Sequence, residues 1–223
     1  MNAELLTGRT ETHVVEVFPG HFLHQNVVGP YRALVDLARR AGLDLRLASG
    51  FRSFNRQLAI WNAKACGERP VLGCDGQPLA MARLGDFDKV CAILRWSALP
   101  GASRHHWGTD VDIWDAAAVD STYRLQLVPE EYAEGGVFYG LTRWLDKTMV
   151  RGASAFYRPY DANHGGVAPE PWHLSHRPTA EGFERAMTQT VLREALAQTD
   201  ILLKQTLLDN LDEIYQRFVM CWH

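Results

Sequence analysis

The stretch Ser103-Arg-His-His-Trp-Gly-Thr-Asp-Val-Asp112 constrains the fold more than any other part of the chain. His105 and Asp112 stand seven residues apart, with Gly108 between them. From Gly108 to Trp114, Val111 and Ile113 alternate with Asp110, Asp112 and Trp114, which is the period of a β-strand with one buried face. An imidazole and a carboxylate brought together in this way supply two of the three protein ligands that an open, catalytic zinc site needs.

A third ligand and a base stand further along, in Pro169-Glu-Pro-Trp-His173. Glu170 precedes Pro171, which biases it towards an extended backbone and away from helix. The arrangement therefore differs from a helical His-Glu-x-x-His motif, where both histidines share one helix face. A strand and a proline-braced loop are expected to hold the metal together.

Ser103-x-His105-x-x-Gly108-x-Asp110-x-Asp112 followed by Glu170-x-Trp172-His173 resembles the signature of the VanX/VanY-type D-alanyl-D-alanine metallopeptidases. Their wider group also contains lysostaphin-like enzymes and the Hedgehog signalling domain. A third block, Ser49-Gly-Phe-Arg-Ser-Phe-Asn-Arg-Gln57, is similar to the family's Ser-Gly-Tyr-Arg-Ser segment with a glutamine five residues after the arginine. The three blocks follow in family order over about residues 45–176. One departure stands out: Asp110 occupies the position where the family usually has a small alanine.

The resemblance implies one Zn²⁺ per chain, held by His105, Asp112 and His173 with a fourth position left for water. Zinc in such a site activates water and polarises a carbonyl oxygen. Glu170 is expected to act as general base and then general acid. Arg52 is expected to stabilise the oxyanion, a donor of a kind typically worth about 3–4 kcal/mol of barrier. Arg52, Gln57 and Ser103 are implied contacts to the substrate's terminal residue. The implied partner is a peptidoglycan-derived peptide, cut next to D-alanine in a stem peptide or precursor. Asp110 is expected either behind the ligands, accepting a hydrogen bond from a histidine ring or pairing with a nearby cation, or, where the strand twists or bulges, in contact with water.

With 47% hydrophobic residues, 223 residues suffice for one substantial core, and the expectation is a single α+β domain over 1–223. A small antiparallel sheet carries the zinc site, helices flank it, and a C-terminal helical extension covers about 180–218. A formal net charge of −3 gives no electrostatic case for nucleic acid, and no apolar run is long enough to span a membrane. The N-terminus lacks the pattern of a signal peptide, so a cytoplasmic location is expected, with periplasmic or cell-wall-associated action left open. Nothing in the sequence specifies an oligomeric state. Cys66, Cys74, Cys91 and Cys221 form no Cys-x-x-Cys pair, and unpaired thiols are favoured over a Cys66–Cys74 bridge.

Residues 13–28 read as a strand or irregular arm, 30–41 as a helix stopped at Gly42, and 43–49 as a half-buried strand. Ser53 is placed to cap a helix that carries Gln57, Leu58, Ile60 and Trp61. Loops rich in Gly and Pro over 66–102, with a helix at Asp86–Trp96, suggest one wall or lid of a cleft. Thr142–Val150 reads as a helix and 156–166 as an aromatic, glycine-rich loop beside the substrate. The spans 181–197 and 201–218 read as two amphipathic helices.

Competing assignments remain at this level. His106, next to His105, is expected on the opposite strand face, His164 and His176 rival His173, and Asp115 reads as a turn or cap residue. Two other functions compete: a lysin-type peptidoglycan endopeptidase, and a non-catalytic, zinc-stabilised binding module on the same fold. Glu170 and Arg52 alongside three ligands speak against the binding module, since a purely structural zinc prefers four protein ligands.

Overall fold

The computed structural model describes residues 1–74 and 76–220. A short helix α1 (Ala3–Leu6), capped by the Asn2 side chain, precedes a hairpin of β1 (Val14–Phe18) and β2 (His21–His24). The stretch at 13–28, read as a strand or irregular arm, is a two-stranded sheet of its own, followed by a short 3₁₀ turn at Gln25–Val27. Helix α2 (Val28–Arg40) buries Tyr31, Leu34 and Ala38 at helical spacing. Strand β3 (Leu45–Ser49) follows, with Leu45 and Leu47 inward and Arg46 outward. The Ser53 hydroxyl accepts the Arg56 N–H and opens helix α3 (Phe54–Ala65), as its sequence predicts. After an irregular stretch, helix α4 (Asp86–Leu94) ends two residues before the expected boundary. Cys66 and Cys74 are exposed free thiols, and Cys221 lies outside the described residues.

Strand β4 (Asp110–Asp115) sits inside a four-stranded sheet. Helices α5 (Pro129–Tyr132) and α6 (Tyr139–Val150) lead to β5 (Phe156–Tyr157) and β6 (His173–His176), giving the antiparallel order β3-β4-β6-β5. The start of the presumed aromatic loop is thus an edge strand. In α6 the fully inward side chains are Leu141, Leu145 and Thr148, while Trp144 and Met149 are only partly covered.

Val111, Ile113 and Leu174 share one core cluster with Leu34, Leu141 and Leu145, so α2 and α6 cover that face of the sheet. A second cluster joins Trp61, Ile93, Leu94, Trp107, Phe183 and Leu192 among α3, α4 and the C-terminal helices. The expectation of one buried face on β4 needs correcting, because Asp110 and Asp112 are buried as fully as Val111. Asp110 is covered by partners that satisfy it, which a buried carboxylate requires.

The C-terminal region is more broken than its leucine pattern suggests. Helices α7 (Arg177–Ala186) and α8 (Gln189–Ala197) separate at Thr188, whose extended backbone and hydroxyl cap α8. Helices α9 (Lys204–Asp209) and α10 (Leu211–Ile214) separate at Asn210 and run into a π turn at Tyr215–Val219. Among the described residues, no helix is long and apolar enough to cross a membrane.

Candidate active site

Strand register brings the site together. Asp112 pairs with His173 across β4 and β6, and with Ser49 across β3 and β4. His105 arrives from a 3₁₀ turn, Arg104–Trp107, and not from the strand that the sequence suggested. Gly108 ends that turn at φ 66°, and a Cβ there would lie 2.7 Å from His24 N and from Val14 Cγ1. Only glycine accommodates both the left-handed backbone and the hairpin packed against it.

Hydrogen bonds fix which ring nitrogen of each histidine is free. The partner of His105 Nδ1 is the Gly50 carbonyl at 2.8 Å, which can only accept, so Nδ1 carries the proton. The Nε2 lone pair then faces Asp112 Oδ2 at 3.3 Å. The partner of His173 Nε2 is Asp110 Oδ1 at 2.9 Å, again an acceptor, which leaves Nδ1 as the free nitrogen. His173 Nδ1 lies 3.3 Å from Asp112 Oδ1 and 3.1 Å from Glu170 Oε2. Both His173 Nδ1 and Asp112 Oδ1 are buried without a hydrogen-bond partner. Buried polar atoms are ordinarily satisfied, so two orphans facing each other fit a cation between them. One ligand atom each from His105, Asp112 and His173 lies within 4.8 Å of the others, a spacing that one metal ion can bridge.

The charges are set by this enclosure. Burial pushes the Asp112 carboxyl towards its neutral form, but His105 and His173 outweigh it and hold its pKa well below the usual range. Burial likewise opposes the charged form of His173, yet Asp110, Asp112 and Glu170 together raise its pKa well above that of a free imidazole, so a positive charge at Nδ1 is favoured and a metal ion there would take the place of a proton. Asp110 is ionised for the same kind of reason, with Arg104 the largest influence opposing its burial.

Behind His173 lies a network that the sequence only partly signals. Asp110 accepts from Arg104 Nε at 2.7 Å, from Ser175 Oγ at 3.0 Å and from Thr109 Oγ1. Arg104, itself fully buried, also pairs with Glu184 at 2.7 Å and donates to Tyr157 and Ser175. Asp110 therefore meets both parts of the expectation for it, an acceptor for a candidate-ligand histidine and the partner of a cation.

The comparisons with known proteins bear on this constellation. The family model described as VanY, D-alanyl-D-alanine carboxypeptidase, matches residues 20–179. The chain belongs to the VanY family. A Haemophilus influenzae relative, itself uncharacterised, is 33% identical over 136 residues, which are 61% of this chain and 98% of that protein. A D-alanyl-D-alanine carboxypeptidase of Enterococcus faecalis is 31% identical over 151 residues, covering 67% of this chain but 46% of that protein. Among solved structures, VanYB in complex with D-alanine-D-alanine superposes with a TM-score of 0.53 at 23% identity, over 86% of this chain and 92% of that one. A VanY D,D-pentapeptidase variant in complex with Zn(II) gives 0.52 at 23%, over 82% and 90%. At these identities the two structures show the shared fold.

In this VanY-family chain the three candidate metal ligands, Glu170, Arg52 and Ser103 all line one cleft of about 410 Å³. Arg52 donates to Gln57 Oε1 at 2.9 Å and to Ser49 Oγ at 3.1 Å. Gln57 itself is fully buried and does not line the cleft; its amide donates to the Ala98 carbonyl and the Ser97 hydroxyl. The segment ending at Pro100 thus forms a wall, as anticipated, through Trp96, Ser97 and Ala98. His106 turns away: Gly101 N–H donates to its Nε2, so Nδ1 donates to the Arg52 carbonyl at 2.6 Å. Burial lowers the His106 pKa to about 3, which keeps the ring neutral in this bridging role. His164 is exposed beside Asp161, and His176 contacts Thr179, so neither joins the His105–Asp112–His173 cluster. Asp115 accepts the Asp44 and Ala117 N–H groups, a turn residue as read.

Several cleft residues escaped the sequence reading. Tyr160 stacks edge-on against His173 with ring centroids 5.0 Å apart, and its only sequence signal is the aromatic loop around it. Gln126 and Leu127 enter from a loop whose backbone is tied to Glu131 by Gln126 N–H and Val128 N–H. Lys64 and Arg69 also line the cleft, and Lys64 stands on the same α3 face as Gln57, seven residues further on.

Proposed function

We propose that this chain is a zinc-dependent carboxypeptidase, one ion per chain, that hydrolyses the peptide bond next to D-alanine in peptidoglycan stem peptides or their precursors. The observation that carries the reading is the pair of orphaned, buried atoms, His173 Nδ1 and Asp112 Oδ1, beside the Glu170 carboxylate in an open cleft. A structural zinc site would be closed by a fourth protein ligand; here the described residues bring three together and leave a cleft beside them. Family membership supports the reaction class, and the complexes of related structures with Zn(II) and with D-alanine-D-alanine support the metal and the substrate.

Zinc held by His105 Nε2, Asp112 and His173 Nδ1 would supply Lewis-acid activation of water and of the scissile carbonyl. Glu170 takes the proton from the attacking water and passes it to the departing amine nitrogen as the C–N bond breaks. Arg52, fixed by Gln57 and Ser49, offers its remaining N–H groups to the oxygen on which negative charge develops. Asp110 keeps His173 in the tautomer whose Nδ1 is free.

The test is product analysis by mass spectrometry, using zinc-loaded protein and stem peptides ending in D-Ala-D-Ala, L-Lys-D-Ala or diaminopimelate-D-Ala. Release of one terminal D-alanine, abolished by chelation and restored by zinc, is expected. Cleavage inside the peptide with the terminus intact would favour the endopeptidase reading. Zinc binding without cleavage of any peptide would favour the binding module.

A further inference from the structure

The turn that carries Glu170 into His173 is held by a residue outside the cleft. Residues 170–173 form a β-turn, closed by the His173 N–H donating to the Glu170 carbonyl at 3.0 Å, with Pro171 at its second position. The Glu170 N–H donates to the Tyr160 carbonyl at 2.9 Å, and the Trp172 carbonyl accepts the Ile113 N–H at 3.1 Å. These bonds tie the two ends of the turn to the chain beyond β5 and to β4. Among the described residues, the oxygen of its middle peptide, that of Pro171, has no backbone partner.

Arg158 supplies the missing partner. Its Nε donates to the Pro171 carbonyl at 3.1 Å, while its other two nitrogens reach α6. There Nη1 pairs with Asp146 at 2.5 Å and Nη2 donates to the Thr142 carbonyl at 3.5 Å. The side chain is largely covered and does not line the cleft. Pro171 has a fixed φ, but its ψ and the φ of Trp172 can rotate together and tilt the middle peptide. Such a tilt would swing Glu170 against His173, whose Oε2 and Nδ1 lie 3.1 Å apart.

We propose that Arg158 is a positioning residue: by fastening the Pro171 carbonyl to α6, it fixes the angle at which Glu170 and His173 face each other. The inference rests on the peptidase reading for what Glu170 does, and adds to it a residue outside the three sequence blocks. Asp146 is half exposed, so its ion pair with Arg158 contributes little beyond aiming the guanidinium.

The experiment compares Arg158→Lys, Arg158→Ala and Asp146→Asn, reading turnover of a D-Ala-D-Ala-ended peptide, zinc affinity by competition with a chelating dye, and thermal melting. Lysine keeps the charge beside Asp146 but loses the fork that serves three acceptors, so Arg158→Lys should melt near wild type. Its kcat is expected to fall about 10–100-fold with KM within about twofold, the signature of a misaligned group in an intact cleft. Arg158→Ala should lose at least as much, and added ethylguanidinium should restore part of its kcat, which a general loss of structure would not permit. Should the alanine variant fail to fold, Arg158→Lys carries the test alone. Asp146→Asn, which keeps an acceptor for Arg158, should stay within about threefold of wild type. Zinc affinity is expected to fall about 10-fold in both Arg158 variants, because His173 ends the same turn. If wild type binds zinc and cleaves no peptide, the peptidase reading fails, and a zinc affinity lowered in the Arg158 variants but not in Asp146→Asn still upholds the clamp. Wild-type kcat and zinc affinity in Arg158→Lys, or equal losses in Arg158→Lys and Asp146→Asn, would overturn the proposal.

Discussion

Asp110→Ala is the most informative single perturbation of this molecule. Asp110 is fully buried and accepts from Arg104, His173, Ser175 and Thr109, so its removal strands donors on every side. The Arg104 guanidinium, also fully buried, would still keep Glu184. Breaking a buried pair by deleting one partner costs about 3–5 kcal/mol, because the other charge stays buried. An exposed pair such as Arg39–Asp36 is worth about 0–1 kcal/mol, so Asp36→Ala serves as the control. Unfolding by urea should be measured on metal-free protein, since zinc bound to the native state adds stability of its own. A loss of about 3–5 kcal/mol is expected, and less in Asp110→Asn, which preserves shape and one acceptor. Zinc affinity, measured by competition with a chelating dye, should fall about 10–100-fold once His173 loses the acceptor that sets its tautomer. Asp110→Ala within 1 kcal/mol of wild type and with unchanged zinc affinity would refute the reasoning, and would leave the buried charges energetically neutral.

Glu170→Gln should retain stoichiometric zinc while kcat falls about 10²–10⁴-fold; near-normal kcat would remove the base from this position. His24 is buried, and burial together with His13 and His176 lowers its pKa to about 4. A histidine depressed below its unfolded value of 6.5 contributes full stability above pH 6.5, and loses it as pH falls towards 4. Urea midpoints measured from pH 7 to pH 5 should therefore decline more steeply in wild type than in His24→Gln; parallel slopes would contradict this. Gly108→Ala should cost at least about 1–2 kcal/mol, from the left-handed backbone and from the hairpin contacts its Cβ would strike, as read by thermal melting.

The residues of the candidate metal cluster are legible because much of their information is local. His105, Gly108 and Asp112 lie within one turn and one strand, and the proline before Trp172 announces an extended approach to His173. The Ser53 cap and the alternation in β3 are of the same kind. What was hidden depends on contacts across the chain. The burial of Asp110 follows from Arg104, Ser175 and Glu184, and Glu184 is far away in sequence. The edge strand at Phe156–Tyr157 exists only because β6 lies beside it. The breaks at Thr188 and Asn210 were masked by leucine spacing that runs on across both junctions, although a capping threonine was there to be read.

The two arginines of the site show how one residue type is assigned opposite duties by its partners. Arg104 meets two carboxylates at 2.7 Å, so its charge is neutralised inside the protein and its fork is occupied. Such an arginine orients its neighbours Asp110, Glu184, Tyr157 and Ser175. Arg52 is held by an amide oxygen and a hydroxyl, both neutral, and among the described residues no carboxylate comes within ion-pair distance of it. Burial lowers its pKa, yet Asp112 and Glu170 nearby favour the cation, so an anion or a developing oxyanion finds a charge that is positioned but not cancelled. Gln57 belongs to the same logic. Its amide nitrogen is spent on Ala98 and Ser97, which leaves its oxygen aimed at Arg52 and fixes the guanidinium through a group that carries no charge of its own. A glutamate in its place would bind Arg52 more tightly and neutralise it, and the cleft would lose the positive charge on which the proposed oxyanion stabilisation depends.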